Sequence, residues 1–353
     1  IMAKLFYRDK PIIGLDISQT GIKIMSIDPK RWLVLGYGSL DLDPKEVQTS
    51  LDNPDDSYLA ERLSSLINEH LIGNLGSDHV VIGVPTSRTY SRTFMIPAKE
   101  AAHLDGAIQV EVDQYIPLPL DSLYVDYEVI EHTKDQLNVV MSAVPKQLVD
   151  ACLQAAEAVG LVPVVVEPNI NAIARVLDSA DAGNLLTLVV DIGPASTDIA
   201  VLDKSAVRLT GGVAIGGNTF TIDISKHLNI TLENAHQLKV LNGLSPGPRQ
   251  AGITEALKPS LKRISTEIRK VIRYYNDRIG DERKIEQIVI VGGGSNVPGM
   301  GDFFTNDLVM PVRVVNPWQK LDFGKLQQPQ KQFRPRYISV AGLASLSSGE
   351  IWK

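Results

Sequence analysis

The sequence predicts an α/β fold made by duplication, with two lobes of about half a chain each. Three observations predict it. An apolar strand ending in aspartate, Ile12-Ile13-Gly14-Leu15-Asp16-Ile17, runs into a small polar turn, Ser18-Gln19-Thr20-Gly21, and then a second strand, Ile22-Lys23-Ile24-Met25. The design recurs 175 residues later as Leu188-Val189-Val190-Asp191-Ile192-Gly193, Pro194-Ala195-Ser196-Thr197 and Asp198-Ile199-Ala200-Val201-Leu202. The residue seven after each aspartate is polar, Lys23 and Asp198. Each half then reads strand-strand-strand-helix-strand-helix, and two such matches in one order are hard to obtain by chance.

The elements follow in order. A third strand is expected over Leu33 to Leu40, then helices with Leu59, Leu63, Leu66 and Ile67 on one face. His79 to Val84 reads as a buried strand. In the second half the third strand runs from Ala206 to Thr210. Asn218 is the expected N-cap of a helix carrying Phe220, Ile224 and Leu228. A longer helix follows over roughly 257–278, and then a strand from Ile285 to Val291. Two lobes of this kind make a cleft with an aspartate-tipped turn from each pointing in.

Composition narrows the class. The 353 residues are 44% hydrophobic, 22% charged and 6% aromatic, as in an ordinary globular protein, which excludes collagen-like, disordered and disulfide-scaffold chains. With 35 basic and 41 acidic residues the net charge is −6, so no global field draws nucleic acid. The lone Cys152 forms no internal disulfide or cysteine zinc site and suits a reducing compartment. No run of about 18 apolar residues spans a bilayer. Met2-Ala3-Lys4-Leu5-Phe6 runs straight into charged residues, so no signal peptide is expected, and a membrane role has to come through a partner. Gly324-Lys325 is followed by Leu326, so it is no P-loop, and no His-Glu-x-x-His occurs. His236 has no second histidine three or four residues away and reads as a helix-surface or cleft residue. Lys258, Lys262, Arg263, Arg269, Lys270 and Arg273 read as a solvated helix face. Asp41 to Glu61 reads as a loop with helix-start acids.

The paired hairpins, with the late turn Val291-Gly292-Gly293-Gly294-Ser295-Asn296-Val297-Pro298-Gly299-Met300, resemble the actin-like ATPase superfamily, whose fold is ribonuclease H-like. Glu167-Pro168 with Asn171-Ala172, and Ile338 to Leu343 around Gly342, resemble its pair of connecting helices. The resemblance implies ATP (or ADP) with Mg²⁺ between the lobes. It places Asp16, Ser18, Gln19, Thr20, Gly21 and Lys23 on the phosphates, with Gly193, Ala195, Ser196 and Thr197 facing them from the second turn. Gly216, Gly217, Lys239, Gly292, Gly293, Gly294 and Asn296 would lie along the nucleotide. Asp16 and Asp191 would hold the metal through water, and Glu167 matches the position that orients the attacking water in DnaK-type chaperones. The residue types suit these tasks. A tight turn exposes N–H groups to phosphate, Mg²⁺ keeps most of its water shell, Lys23 is a point charge, and glycines let backbone approach a flat base.

The implied domains are a first-lobe core at 11–84, completed by about 161–184 and 335–348, an insert at 85–160, and a second lobe at 185–334 with a helical subdomain at about 218–284. The insert, with Tyr115-Ile116-Pro117-Leu118-Pro119-Leu120, resembles that of the FtsA-like branch and most closely the PilM family of type IV pilus assembly proteins. That resemblance implies a cytoplasmic ATP-binding scaffold, peripheral at the inner face of the membrane, with slow or absent hydrolysis. Its partner is the N-terminal tail of a PilN-like membrane protein, docked against Tyr115, Ile116, Pro117, Leu118 and Pro119, with Leu137 to Val144 or Val125 to Ile130 offering a strand edge. Pilus motor ATPases and a PilC-like platform protein are further expected neighbours, and nucleic acid is not. The alternatives are a sugar or acid kinase of the superfamily, or an FtsA-like filament-forming protein. The sequence departs from the family at Ser18, where glycine is usual, at His236, where a ribose-binding glutamate is usual, and at Pro194, which removes an N–H donor.

Overall fold

The computed structural model describes residues 11–53, 55–178, 185–203, 206–279, 283–315 and 317–351. Met2 to Phe6, Pro54 of the acidic stretch, residues 179–184 and 280–282 at or inside the expected domains, and Trp352-Lys353 lie outside the described residues. The chain divides into two units. The described residues of the first lie within 11–178, 319–328 and 337–351, and those of the second within 185–318 and 329–336.

In the first unit, β1 (Ile12–Ser18), β2 (Gly21–Asp28) and β3 (Leu33–Asp41) form an antiparallel meander. Helices α1 (Pro44–Asp52) and α2 (Tyr58–Glu69) follow, then β4 (Ile72–Gly73) and β5 (His79–Val84). The Asp43 carboxylate caps α1 by accepting from the Lys45 N–H, with Pro44 in the first turn where its missing donor costs nothing. The insert contributes β6 (Tyr90–Pro97), α3 (Leu104–Tyr115), β7 (Leu123–His132) and β8 (Gln136–Pro145). The chain returns through α4 (Lys146–Ala158), β9 (Val162–Pro168) and α5 (Asn169–Asp178). The main sheet has the order β4-β3-β2-β1-β5-β9, with β1, β5 and β9 parallel. β5 is buried along its whole length, which is why it reads as an unbroken apolar run.

Two expected boundaries move. The insert ends before α4 rather than at 160, because Leu148, Val149, Cys152, Ala155 and Ala156 pack with Leu59, Leu63 and Leu66 in the core beneath β1 and β5. The insert's own core is separate: Ile96, Ile108, Val112, Ile116, Leu123, Leu137, Val139, Met141 and Ala143. Residues 319–328, expected in the second lobe, belong to the first unit. Val34 N–H donates to Asp322 O at 2.7 Å, and Phe323 packs edge-on against Tyr37 with ring centroids 5.5 Å apart.

The second unit holds β10 (Thr187–Ile192), β11 (Thr197–Asp203) and β12 (Ala206–Val213), then α6 (Gly217–Leu228), α7 (Leu232–Leu241) and α8 (Gln250–Arg278). β13 (Gln287–Val291), α9 (Met300–Leu308) and β14 (Val312–Val314) complete it, with the order β14-β13-β10-β11-β12. The N-cap of α6 is Gly216, not Asn218. Gly217 N–H and Asn218 N–H donate to Gly193 O and Pro194 O, both at 2.9 Å, so the β10–β11 turn caps this helix. Helix α8 begins at 250 rather than near 257, since Ile253, Ala256 and Leu257 continue the buried stripe of Leu261, Ile264 and Ile268 past the exposed Pro259. Back in the first unit, α10 (Ile338–Ala344) lies against β1 and α5. A Cβ on Gly14 would sit 2.3 Å from Val340 O, and one on Gly342 2.1 Å from Ala172 O, so both contacts require glycine. Among the described residues no helix is long and apolar enough to cross a membrane.

Candidate functional site

The two hairpins share one register. Asp16 pairs with Lys23 and Asp191 with Asp198, which explains the seven-residue spacing in both. In the first, the buried Asp16 carboxylate accepts from Lys23 Nζ at 2.8 Å, Asn169 Nδ2 at 2.8 Å and Ser339 Oγ at 2.7 Å. These charge-assisted bonds fix Lys23 across the strand pair and tie the hairpin to the first residue of α5 and to α10. Ser18 Oγ donates to Gly21 O at 2.9 Å and closes the turn. Gln19 and Thr20 form its tip, and Thr20 O accepts from Leu42 N–H at 3.1 Å.

Glu167, next to last in β9, has both carboxylate oxygens engaged by Arg175: Nη1 donates to Oε2 at 2.9 Å and Nη2 to Oε1. Arg175 also donates through Nε and Nη2 to Gly342 O at 3.3 and 3.1 Å. The pair staples β9, α5 and α10 together through charge-assisted, two-point contacts.

In the second hairpin Gly193 N–H donates to Ser196 O at 2.9 Å, which leaves Pro194 and Ala195 at the tip. Thr197 turns inward: its hydroxyl donates to Ile215 O at 2.7 Å and the residue is fully buried, so its side chain is structural. A Cβ on Gly216 would lie 2.4 Å from Gly193 O, so the start of α6 presses on this turn. The glycine turn after β13 closes on the same strand end. Gly292 has φ +84° and an added Cβ would lie 2.1 Å from Asp191 Oδ1, while one on Gly294 would strike Ile192 at 2.2 Å. Gly293 has open space at its Cβ position. Ser295 Oγ donates to Gly292 O at 2.7 Å and holds the turn shut behind it.

Lys239 is buried against the first turn of α6, donating from Nζ to Gly217 O at 2.7 Å and to Thr221 Oγ1 at 2.8 Å. Burial, and then the Arg336 charge, bring its amine from 10.5 down to about 8. One turn away the imidazole of His236, at an exposed position, is also lowered, by partial desolvation and by the charges of Lys239 and Arg336. Asn296 Nδ2 donates to Gln332 O at 3.3 Å. In the insert, Tyr115 is the last residue of α3 and stacks beneath Arg92, whose guanidinium carbon lies 3.3 Å from the ring centroid. Ile116 is buried in the insert core, while Pro117, Leu118 and Pro119 are exposed. Of the two strands expected to offer an edge, β8 is paired on both sides, by β6 and β7, so Leu137 to Val144 has no open edge.

Within the first unit the structure therefore brings together Asp16, Ser18, Gly21 and Lys23. Within the second it brings together Asp191, Gly193, Gly216, Gly217, Lys239 and Gly292 to Gly294. Sequence reasoning missed Asn169 and Ser339 as partners of Asp16, and Thr221 as a partner of Lys239. Asn169 had a signal, a short amide after Glu167-Pro168 at a helix start; Ser339 had none. Among the described residues no group of three or more His, Cys, Asp or Glu is placed to hold a metal. A magnesium ion held by one carboxylate, water and phosphate does not need such a group. Asp191, half-buried at a strand end beside a glycine turn, fits that task; Asp16 already accepts three internal bonds and fits as the anchor of Lys23.

Residues 14–347 match the family described as Type IV pilus assembly protein PilM. Cell division protein FtsA of Neisseria meningitidis serogroup B is 27% identical over 183 residues, 46% of this chain and 43% of that protein. Ethanolamine utilization protein EutJ of Escherichia coli is 26% identical over 133 residues, 38% of this chain and 41% of that protein. The matches thus span less than half the length of these curated relatives. Among solved structures, a PilM–PilN type IV pilus biogenesis complex has a chain similar with TM-score 0.78 and 22% identity, over 95% of this chain and 98% of that one. MreB5 of Spiroplasma citri bound to AMPPNP is similar with TM-score 0.53 and 12% identity, over 94% of each chain. These likenesses show an actin-like fold.

Proposed function

The chain belongs to the PilM family of type IV pilus assembly proteins, and from that premise we propose that it is an ATP-binding scaffold of the pilus inner-membrane platform. It docks the N-terminal tail of a PilN-like membrane protein at the cytoplasmic face, and it reaches the membrane through that partner. The observation that carries the nucleotide reading is the glycine cradle. Gly216 presses on the second hairpin turn and Gly292 on Asp191, in both places closer than any Cβ allows, and Gly293 beside them has open space at its Cβ position, so backbone rather than side chains lines the end of β10. Asp191 would hold the Mg²⁺ through water and Lys239 would lie along the nucleoside, while Lys23, fixed on its Asp16 anchor, would be the first unit's cation for phosphate. When bound, the metal supplies charge neutralisation to the β- and γ-phosphates.

Hydrolysis is slow or absent on this reading. A carboxylate that orients an attacking water has to be aimed at the γ-phosphate, and Arg175 fixes the Glu167 carboxylate in the joint of β9, α5 and α10. The same joint takes up the one carboxylate the sequence offered as a kinase's base, which favours the scaffold over the kinase. The role of a scaffold is to present surfaces, and Tyr115, Pro117, Leu118 and Pro119 form an exposed ridge at the end of α3. Motor ATPases and a PilC-like platform protein are the further neighbours we expect. The test is titration of a PilN-like tail peptide into the wild type and a Tyr115→Ala/Leu118→Ser variant. At least tenfold weaker binding is expected, and equal binding by a variant with an unchanged melting curve removes the ridge from the docking surface. Replacing the whole of residues 86–160 would not serve, because α4 belongs to the first-lobe core.

A further inference from the structure

We propose that the outer edge of β7, which contains the Val125 to Ile130 edge expected above, is a docking surface separate from the Tyr115 ridge and takes a cationic extended segment as an added strand. Strand β7 is ten residues long and closes its sheet: β8 pairs with one side, and among the described residues no strand pairs with the other. The edge is held in a provisional state. The Tyr127 N–H donates to the neighbouring Asp126 Oδ1 at 2.8 Å, a carboxylate standing where the carbonyl of an adjacent strand would stand. Asp126 and Glu128 lie on one face of the strand and Glu131 follows a bulge, all three exposed. They sit in a segment, 98–135, that carries nine acidic residues against Lys99 and Lys134, a net −7 where the whole chain carries −6.

The charge pattern decides the occupant. A second copy pairing antiparallel about Tyr127 would set Asp126 of one chain opposite Glu128 of the other, and like charges across a strand pair are destabilising. A strand with lysine or arginine at alternate positions meets the same carboxylates as ion pairs. Its main chain supplies the affinity and its side chains the selection. Acidic residues also protect an edge against aggregation, and that role alone requires no partner, so the test has to separate strand addition from charge.

The probe is a ten-residue peptide alternating valine and lysine, titrated into the full chain by fluorescence anisotropy, with amide shifts followed by NMR. Saturable binding that perturbs the amides of β7 is expected. A peptide of the same charge N-methylated at alternate residues should bind at least tenfold more weakly, since it cannot pair along the edge. Exchange of lysine for glutamate should abolish binding. Glu128→Lys/Glu131→Lys, which leaves the Asp126 contact intact, should weaken binding at least tenfold with an unchanged melting curve. If that variant does not fold, Glu128→Gln/Glu131→Gln should weaken it about threefold. Equal binding of the N-methylated peptide, or equal binding by the folded variants, overturns the proposal. So does a salt-sensitive self-association of the wild type that the same substitutions remove, because the occupant would then be a second copy.

Discussion

Lys239 gives the second-unit site a quantitative test. Its amine is buried on a carbonyl and a hydroxyl, and burial with the Arg336 charge takes it from 10.5 to about 8. Below pH 8 both folded and unfolded chains hold the proton, and the folded chain holds it at a cost. Between about 8 and 10.5 the unfolded chain keeps a proton that the folded chain has released, so stability climbs with pH across that window. At ~1.36 kcal/mol per unit the climb is roughly 3 kcal/mol at most, and residual water access brings it to roughly 2. Cys152 and Tyr37 act the other way. Burial pushes each up to about 12, so the fold loses stability as the unfolded thiol ionises above 9 and the unfolded phenol above 10. The difference between the wild type and Lys239→Met cancels those two contributions. Urea unfolding followed by circular dichroism at pH 7.5 and pH 10 should move that difference by roughly 2 kcal/mol in favour of the wild type. At pH 7.5 the methionine variant should equal or exceed the wild type, while its ATP affinity falls. A difference that does not change with pH refutes the depressed amine and the account of a strained buried cation.

Asp191→Ala should weaken Mg-ATP binding in calorimetry with a normal melting curve; unchanged affinity removes Asp191 from the metal site. Glu167→Gln should lower stability by about 1–3 kcal/mol, since it takes the counter-charge and one acceptor from a half-buried Arg175, and should leave ATP turnover unaltered. Steady turnover near 1 per second, abolished by Glu167→Ala, would overturn the scaffold reading of that carboxylate. Gly342→Ala drives a Cβ to 2.1 Å from Ala172 O and should cost about 2–4 kcal/mol in urea unfolding, by parting α5 from α10.

The duplication was legible because strand burial leaves a plain record. Ile12 to Ile17 and Leu188 to Ile192 are apolar on both faces, and an aspartate seven residues from its cross-strand partner is a register that one can count. Helix starts were harder to see. Asn218 is a good capping residue by type, but α6 is capped by the carbonyls of Gly193 and Pro194, a contact between segments that no local pattern records. A proline inside a helical pattern usually marks a break, yet in α8 Pro259 sits on an exposed face and the buried stripe runs on through it. The insert boundary slipped for a similar reason. Leu148, Val149 and Cys152 look like any apolar helix face, and only packing shows that they belong to the core beneath β5 and not to that of the insert.

The partners of the predicted carboxylates were the least legible and the most consequential. Asp16 and Glu167 were picked out by position, as a metal ligand and a water-orienting base, and position says nothing of what a side chain already holds. Asp16 accepts from Lys23, Asn169 and Ser339, residues drawn from β2, α5 and α10. Glu167 is clamped by Arg175, which also grips Gly342 O on α10. Both carboxylates therefore serve as joints between the hairpin, the strand end and the two crossing helices. A charge built into such a joint is expensive to free, because removing one partner strands the other in a half-buried setting. An enzyme that must move these groups through a catalytic cycle gains nothing from that cost, whereas a scaffold that must keep one shape gains rigidity from it. On the scaffold reading proposed above, nucleotide would stabilise the fold by RT ln(1 + [L]/Kd), a gain that keeps growing after the site is nearly full, and the chemistry of its γ-phosphate would be secondary to its presence.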